Sequence, residues 1–341
     1  PELPLPADFS RFWRGSRPAR FKRLIELMSG LTQPKRIIIG AAALAAFGCC
    51  CMGRNSARAG GGPEADDLET PPQRIVSLAP NITETLFALG LGSRVVGVTR
   101  YCDFPPEAAR IAKVGDLVDP SYEAILSLKP DLVILLSSHR EARRELAKMG
   151  IRSLAVPHES VADVHETIRM IGRECGARGA ADSLLGELDG RSEAVRKAVG
   201  AGRRPRVMLC IGRDTDSGQL AAIHVAGRGG FHDEIIAAAG GANAYQDDKA
   251  PYPQISAEGI IRLAPDVIVD LLSPMQTGGQ TPDRIKQQWS RLHTVAAVSE
   301  GRVYVIAGDH ALRPGPRYVE FLEQLARVLH PRAFDKGAPD E

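Results

Sequence analysis

The sequence predicts an α/β protein of two lobes, each built on a central parallel sheet, joined by one long rigid helix. Three observations carry this expectation. Short β-branched runs alternate with glycine-ended helical segments along the body of the chain, which implies parallel pairing through crossover helices. A stretch of the first half, SYEAILSLKPDLVIL from Ser121, returns in the second as SAEGIIRLAPDVIVD from Ser256. Between the halves lies a charged segment, ARGAADSLLGELDGRSEAVRKAVGAG, with Leu184, Leu188 and Val195 at helical spacing. At 341 residues and 44% hydrophobic content the chain is long enough for two ordinary cores.

Before the body comes a front of different character. The run MSGLTQPKRIIIGAAALAAFGCCC carries Lys35 and Arg36, an apolar stretch from Ile37 to Phe47 and a small residue before cysteine, the order of a secretory signal. Its apolar stretch is shorter than the roughly 20 residues that span a bilayer. Cys49 after Gly48 resembles the lipobox of bacterial lipoproteins, without the usual leucine at its head. The resemblance implies acylation at Cys49; a plain signal peptide and an N-terminal membrane anchor are the other readings, and all three imply export to the periplasm or another extracytoplasmic face. The expected divisions are an upstream extension over 1–27, the signal over 28–49 and a Gly-, Pro- and charge-rich flexible tether over 50–73. The N-terminal lobe follows over 74–172, the connecting helix over 173–202, the C-terminal lobe over 203–331 and a tail over 332–341.

Taken in order, RIVSLAP is a strand that stops at proline and NITETLFALGLG a helix ending in glycine. RVVGVTRY is the next strand, YCDFPPEA a loop, and Ser121 opens a helix that breaks at Pro130 before the strand DLVILL. HREARRELAKMG is amphipathic and closed by Gly150; IRSLAVP is a strand. In the second half RPRVMLCI, DVIVDLL and RVYVIAG are strands, FHDEIIAAAGGAN and SAEGIIRLAP helices. The connecting segment reads as one helix although Gly186 and Gly190 each weaken it by about 1 kcal/mol.

Several function classes are disfavoured. A net charge of +2 with both signs dispersed leaves no footprint for nucleic acid. Cys102, Cys175 and Cys210 are too widely spaced for a zinc pattern, and their odd number leaves at least one thiol free or paired between chains. No metal site and no catalytic residue is assigned: there is no G-x-S-x-G elbow, no phosphate loop ending in Gly-Lys-Ser/Thr and no paired-cysteine cluster. His158-Glu159-Ser160 is a core-edge loop, and the glycines of AGRGGFHDEI are a cleft loop rather than an anion cradle. An enzyme of chelatase-like fold is the main rival reading.

In this order and spacing, RIVSLAPNITETLFALG, YCDFPP, EAILSLKPDLVI, APYPQISAEGIIRLAPDVIV and GPRYVEFLEQLARVL resemble the substrate-binding proteins of bacterial ABC importers, in the class whose lobes are joined by a rigid helix. The resemblance covers Arg74 to Pro331, and YCDFPP and PYPQIS are most similar to the cobalamin-binding members. It implies a monomer that captures a corrinoid between its lobes, with haem or a ferric siderophore as the alternative; the single long connecting helix predicts little closure on binding. The resemblance implies further that Glu123 and Glu258, the one repeated position that folding alone does not explain, dock onto arginines of the two transmembrane subunits. Tyr101 and Tyr252 match cleft aromatics of the cobalamin binders, Tyr252 where tryptophan is commoner. Where those proteins place further aromatics this chain has Leu136 and His310, and the loop opening the second lobe offers His224. Fewer rings and more imidazole suit a corrinoid held differently, haem or an iron chelate; Tyr and His are usual protein ligands of haem iron. Arg313, which with Arg317 flanks Pro314-Gly315-Pro316, offers a fork for a carboxylate or phosphate.

Overall fold

A segment reading Leu-Val-Ile-Leu-Leu has no polar face to offer water, and it forms β4 (Leu132–Leu136), buried along its whole length. It lies in a five-stranded sheet in the order β3-β2-β1-β4-β5, with β1 at Ile75–Ser77, β2 at Val95–Val98, β3 at Ala112–Lys113 and β5 at Ser153–Val156. Every pairing in it is parallel, as expected of strands covered by helices on both faces. The computed structural model describes residues 70–334 except 216–219, 221, 248–249 and 274–279. The expected extension, the signal with Cys49, the tether as far as residue 69 and the tail beyond residue 334 lie outside the described residues.

The covering helices start where the sequence signals them. Helix α1 (Pro80–Ala88) begins on proline, whose missing N–H would have had no helical partner there. Helix α2 (Tyr122–Ser127) is capped by Ser121, whose hydroxyl accepts from Ala124 N. Helix α3 (Arg140–Lys148) precedes Gly150 at φ 69°. Helix α4 (Val161–Glu174) is capped by Ser160.

The connecting helix, α5 (Arg178–Val199), is 22 residues long, about 33 Å at 1.5 Å per residue. It starts later than residue 173 because Gly176 sits at φ 69° and turns the chain between α4 and α5. These two helices cross closely, since a Cβ at Gly172 would lie 2.6 Å from that of Ala181. Gly186 and Gly190 face open space, so no close approach explains them.

The second lobe departs from the expected all-parallel plan. Its six-stranded sheet runs β11-β10-β6-β7-β9, with β8 also beside β6; the strands are β6 (Arg206–Gly212), β7 (Ile223–Val225), β8 (Ala242–Asn243), β9 (Gln254–Ile255), β10 (Val267–Leu272) and β11 (Val303–Ala307). Pairings of β6 with β10 and β8, and of β10 with β11, are parallel. Those of β7 with β6 and β9 are antiparallel. A parallel return needs a crossover of a dozen or more residues, usually a helix, and no helix is described between β6 and β7. Helices α6 (Phe231–Ala238), α7 (Ala257–Leu263), α8 (Pro282–Gln288) and α9 (Ala296–Ser299) complete this lobe, followed by α10 (Tyr318–Leu329) and α11 (Pro331–Phe334).

One apolar cluster runs through both lobes, joining Ile75, Ile134 and Leu86 to Leu188 on α5 and to Phe231, Leu322 and Leu325 beyond it. Each fully buried leucine contributes about 1.5–3 kcal/mol. Helix α10 is fixed on α5 by a two-pronged bond from Arg191 to Glu323, at 2.8 and 2.9 Å. Cys102, Cys175 and Cys210 are buried free thiols, and burial pushes Cys175 up to about 11.

The repeated stretch builds the same unit twice. Ser121 and Ser256 each cap their helix by accepting from the backbone N–H three residues on, both at 3.3 Å. Each unit ends in a left-handed residue, Lys129 at φ 45° and Ala264 at φ 43°. Asp131 Oδ2 accepts from Arg74 N at 2.8 Å and Asp266 Oδ2 from Arg206 N at 2.9 Å. The arginine at the head of each lobe's first strand also donates to the helix's last carbonyls, Arg74 to Leu128 O and Arg206 to Leu263 O, both at 2.7 Å. Ser, Leu, Pro and Asp thus recur because they form a cap, a stop and a strand start.

Candidate ligand cleft and docking faces

The ends of β1, β2 and β5 lead into the segments that meet the other lobe. In α1, Ile82 and Leu86 enter the core and carry Glu84 inward with them, leaving it 4% exposed. A buried carboxylate needs charged partners, and they come from the second lobe. Arg317 donates to both oxygens of Glu84, at 2.9 and 2.7 Å, and Arg313 adds a bond of 3.2 Å. Arg313 also reaches Asp103 at 2.8 Å, Asp309 at 2.7 Å and the Tyr101 carbonyl at 3.1 Å. Burial raises the Asp309 carboxyl against the pull of Arg313. Asn81 donates to Pro314 O at 3.2 Å, a further bond between the lobes. The Arg317 guanidinium lies 3.7 Å from the Phe104 ring centre, and both residues line a cavity of about 770 Å3 with Glu84, Phe87 and Pro316.

Tyr101 and Arg313 are therefore neighbours, in opposite lobes. The guanidinium does not stand ready for an incoming anion, because Glu84, Asp103 and Asp309 already surround it. His310 is buried within its lobe, with Nε2 3.2 Å from Gln324 Oε1 on α10. Leu136 is buried at the end of β4.

A second meeting of the lobes lies beyond β5. Val161 N donates to Glu234 Oε2 on α6 at 2.7 Å. Tyr252 is half-buried, and burial pushes its phenol up to about 12, with Glu159 of the other lobe adding to the rise. His224, on β7, is half-buried and lowered by burial, while the Tyr252 backbone pulls the other way. Beneath Tyr252, at 5.9 Å between ring centres, lies His232. His232 is 4% exposed, has Nε2 2.9 Å from the Ala311 carbonyl, and is pushed down to about 4 by burial. Across from these, His139 and His158 follow the ends of β4 and β5; burial, then the nearby His158, lower His139 to about 4, and burial lowers His158.

Glu123 and Glu258 both stand exposed in the first turns of α2 and α7. The Ser256 side chain, foremost, lowers the Glu258 carboxyl.

The sequence reading missed Glu84, Asp103, His139 and His232. It also missed a buried group in the second lobe, where Arg213 donates to Asp270 Oδ2 at 2.8 Å with both side chains fully buried. Trp289 Nε1 donates to the same oxygen at 2.9 Å, and Gln288 Oε1 accepts from Arg213 at 2.6 Å. One signal was available: Asp270 is a carboxylate inside an otherwise apolar strand, Val-Ile-Val-Asp-Leu-Leu, where a charge is retained only with a partner.

Residues 75–309 match the model of the periplasmic binding protein family. An uncharacterized ABC transporter substrate-binding lipoprotein of Bacillus subtilis is 32% identical over 277 residues, covering 78% of this chain and 83% of that protein. A vitamin B12-binding protein of Vibrio cholerae is 26% identical over 262 residues, covering 76% and 90%. Among solved structures, the apo periplasmic haem-binding protein of Roseiflexus sp. RS-1 superposes with a TM-score of 0.66 at 28% identity, over 76% of this chain and 99% of that one. With two α/β lobes, a bridging helix and bonds between the lobes beside the predicted cleft, the chain belongs to the periplasmic binding protein family, the substrate-binding components of ABC importers.

Proposed function

We propose that this protein captures a corrinoid of the cobalamin type between its lobes and delivers it to a permease dimer. The observation that carries the reading is the saturation of Arg313 by three carboxylates. With Arg317 included, the junction holds two guanidiniums against Glu84, Asp103 and Asp309. An acid-rich edge repels a dianionic macrocycle and suits a neutral one rimmed with amides, which donate to carboxylates and accept from guanidinium. Tyr252, held protonated, is a hydrogen-bond donor to such a rim. Glu123 and Glu258 dock onto basic residues of the two transmembrane subunits, and acylated Cys49 holds the precursor's mature form at the membrane.

The second reading, haem or a ferric chelate, is favoured by a different observation: His139, His158 and His224 are all kept neutral by burial, and neutral imidazole is the metal-binding form. Calorimetric titration of residues 74–341 with cyanocobalamin, with haemin in parallel, separates the two. One-to-one cobalamin binding weakened by Tyr101→Ala and Tyr252→Ala is the expected result. No heat with cobalamin and a Soret shift with haemin would transfer the assignment to haem.

A further inference from the structure

The two copies of the repeated unit agree in more than their carboxylates. From Ser121 to Lys129 and from Ser256 to Ala264, the order of exposed, half-buried and buried residues is the same at every position. Three residues after each glutamate stands an aliphatic side chain that the fold leaves in water: Leu126, 48% exposed, and Ile261, 46% exposed. Residues three apart share a helix face, so each lobe presents a carboxylate with a bare aliphatic group beside it. Among the described residues the other large apolar side chains that stand exposed are Phe104 and Met149, both less so, at 40% and 37%. Phe104 is covered by the Arg317 guanidinium, and Met149 closes the end of α3.

A single exposed leucine needs no explanation. Two at the same place in a duplicated unit differ, because the position immediately before each is a buried isoleucine, Ile125 and Ile260, that already supplies the helix with its core anchor. Leu126 and Ile261 belong to none of the apolar clusters of their lobes. Two like faces on one chain call for a partner that repeats its own surface, which a two-fold pair of subunits does.

We infer that Glu123 with Leu126, and Glu258 with Ile261, form two matched docking faces for a two-fold pair of transmembrane subunits, each subunit offering a basic residue beside an apolar hollow. The carboxylates set approach and register, and the aliphatic groups, desolvated on contact, slow dissociation. This rests on the docking reading given above. It adds a pair of residues whose effect does not depend on salt. Arg262, one turn from Glu258, has Ser127 as its counterpart in the first lobe, so a basic side chain stands on the same helix as the carboxylate in the second lobe only.

The test measures affinity of the ligand-loaded protein for its cognate permease–ATPase complex in nanodiscs, at two salt concentrations. The variants are Leu126→Ser, Ile261→Ser, the double variant, the conservative Leu126→Met with Ile261→Leu, and Glu123→Ala with Glu258→Ala. Each serine is expected to weaken docking about tenfold and the pair about a hundredfold, with the salt slope kept, ligand affinity unchanged and the conservative pair close to wild type. The glutamate pair is expected to flatten the salt slope. A serine double variant within twofold of wild type, while the glutamate pair weakens, overturns the inference and leaves the docking reading standing. Both pairs within twofold of wild type overturn both. Loss of a dimer by the serine variants in sedimentation equilibrium would make a second copy of the chain the occupant, and the inference falls.

Discussion

Two buried charge networks hold this molecule, and they differ in where they lie. Asp270 and Arg213 belong to one lobe and have no solvent exposure; Trp289 donates to the same Asp270 oxygen as Arg213, and Gln288 accepts from Arg213. Glu84 and its arginines belong to different lobes, and although Glu84 is buried, the side chains of Arg313 and Arg317 remain 15% and 17% exposed. The first network cannot be opened without unfolding the lobe around it. Water already reaches the second, so its charges are partly resolvated when the lobes separate, and the desolvation penalty that makes a broken pair costly is reduced. The difference separates a truss that shapes one lobe from a junction that sets how the two lobes meet.

The strongest way to test this contrast is to remove one carboxylate from each network. Asp270→Ala strands a buried guanidinium and is expected to cost about 3–5 kcal/mol in urea unfolding. Glu84→Gln keeps the shape but removes the charge shared by two arginines, and is expected to cost about 1.5–3 kcal/mol. It should also raise the radius of gyration of the unliganded protein in solution scattering, which Asp270→Asn should not. Equal scattering from both variants would erase the distinction.

Acid provides the next test. His232 is held near 4 in the fold, below the ordinary 6.5, so the folded protein resists a proton that the unfolded chain accepts. Stability is therefore complete above pH 6.5 and falls as the pH drops from 6.5 towards 4, by roughly 3 kcal/mol for this group. His232→Phe should remove that share of the pH dependence; an unchanged profile would assign the acid sensitivity elsewhere. A smaller effect is expected of Tyr252→Phe, which removes the phenol donor near the junction and should weaken cobalamin about fivefold without shifting the unfolding midpoint by more than about 0.5 kcal/mol. Smallest is Glu123→Ala with Glu258→Ala, both exposed and bonded to neither network, expected to leave stability within about 0.5 kcal/mol of wild type.

Much of the scaffold was legible because its signals are short-range. Ser121 and Ser256 announce their helices, Gly150 and Gly240 end others at positive φ, and the apolar run of β4 requires burial on both faces. The antiparallel β7 and β9 were not legible, since two- and three-residue strands carry no periodicity. Among site residues, Tyr101 and Arg313 were singled out separately, and nothing in their spacing says that one donates to the other's carbonyl across 212 positions. His310 reads from its loop as a ligand candidate, whereas α10 packs over it and takes its Nε2 to Gln324.

By itself the sequence determined the two-lobed α/β plan, the bridging helix and the duplicated unit, because caps, stops and hydrophobic periodicity act within a few residues of each other. Only the tertiary structure decided what the charges do. Glu84 meets Arg317 from 233 positions away, and Asp270 meets Arg213 from 57. Such partnerships follow from the burial of a carboxylate by the packing of its own helix or strand, which obliges whatever guanidinium the fold brings near to become its partner.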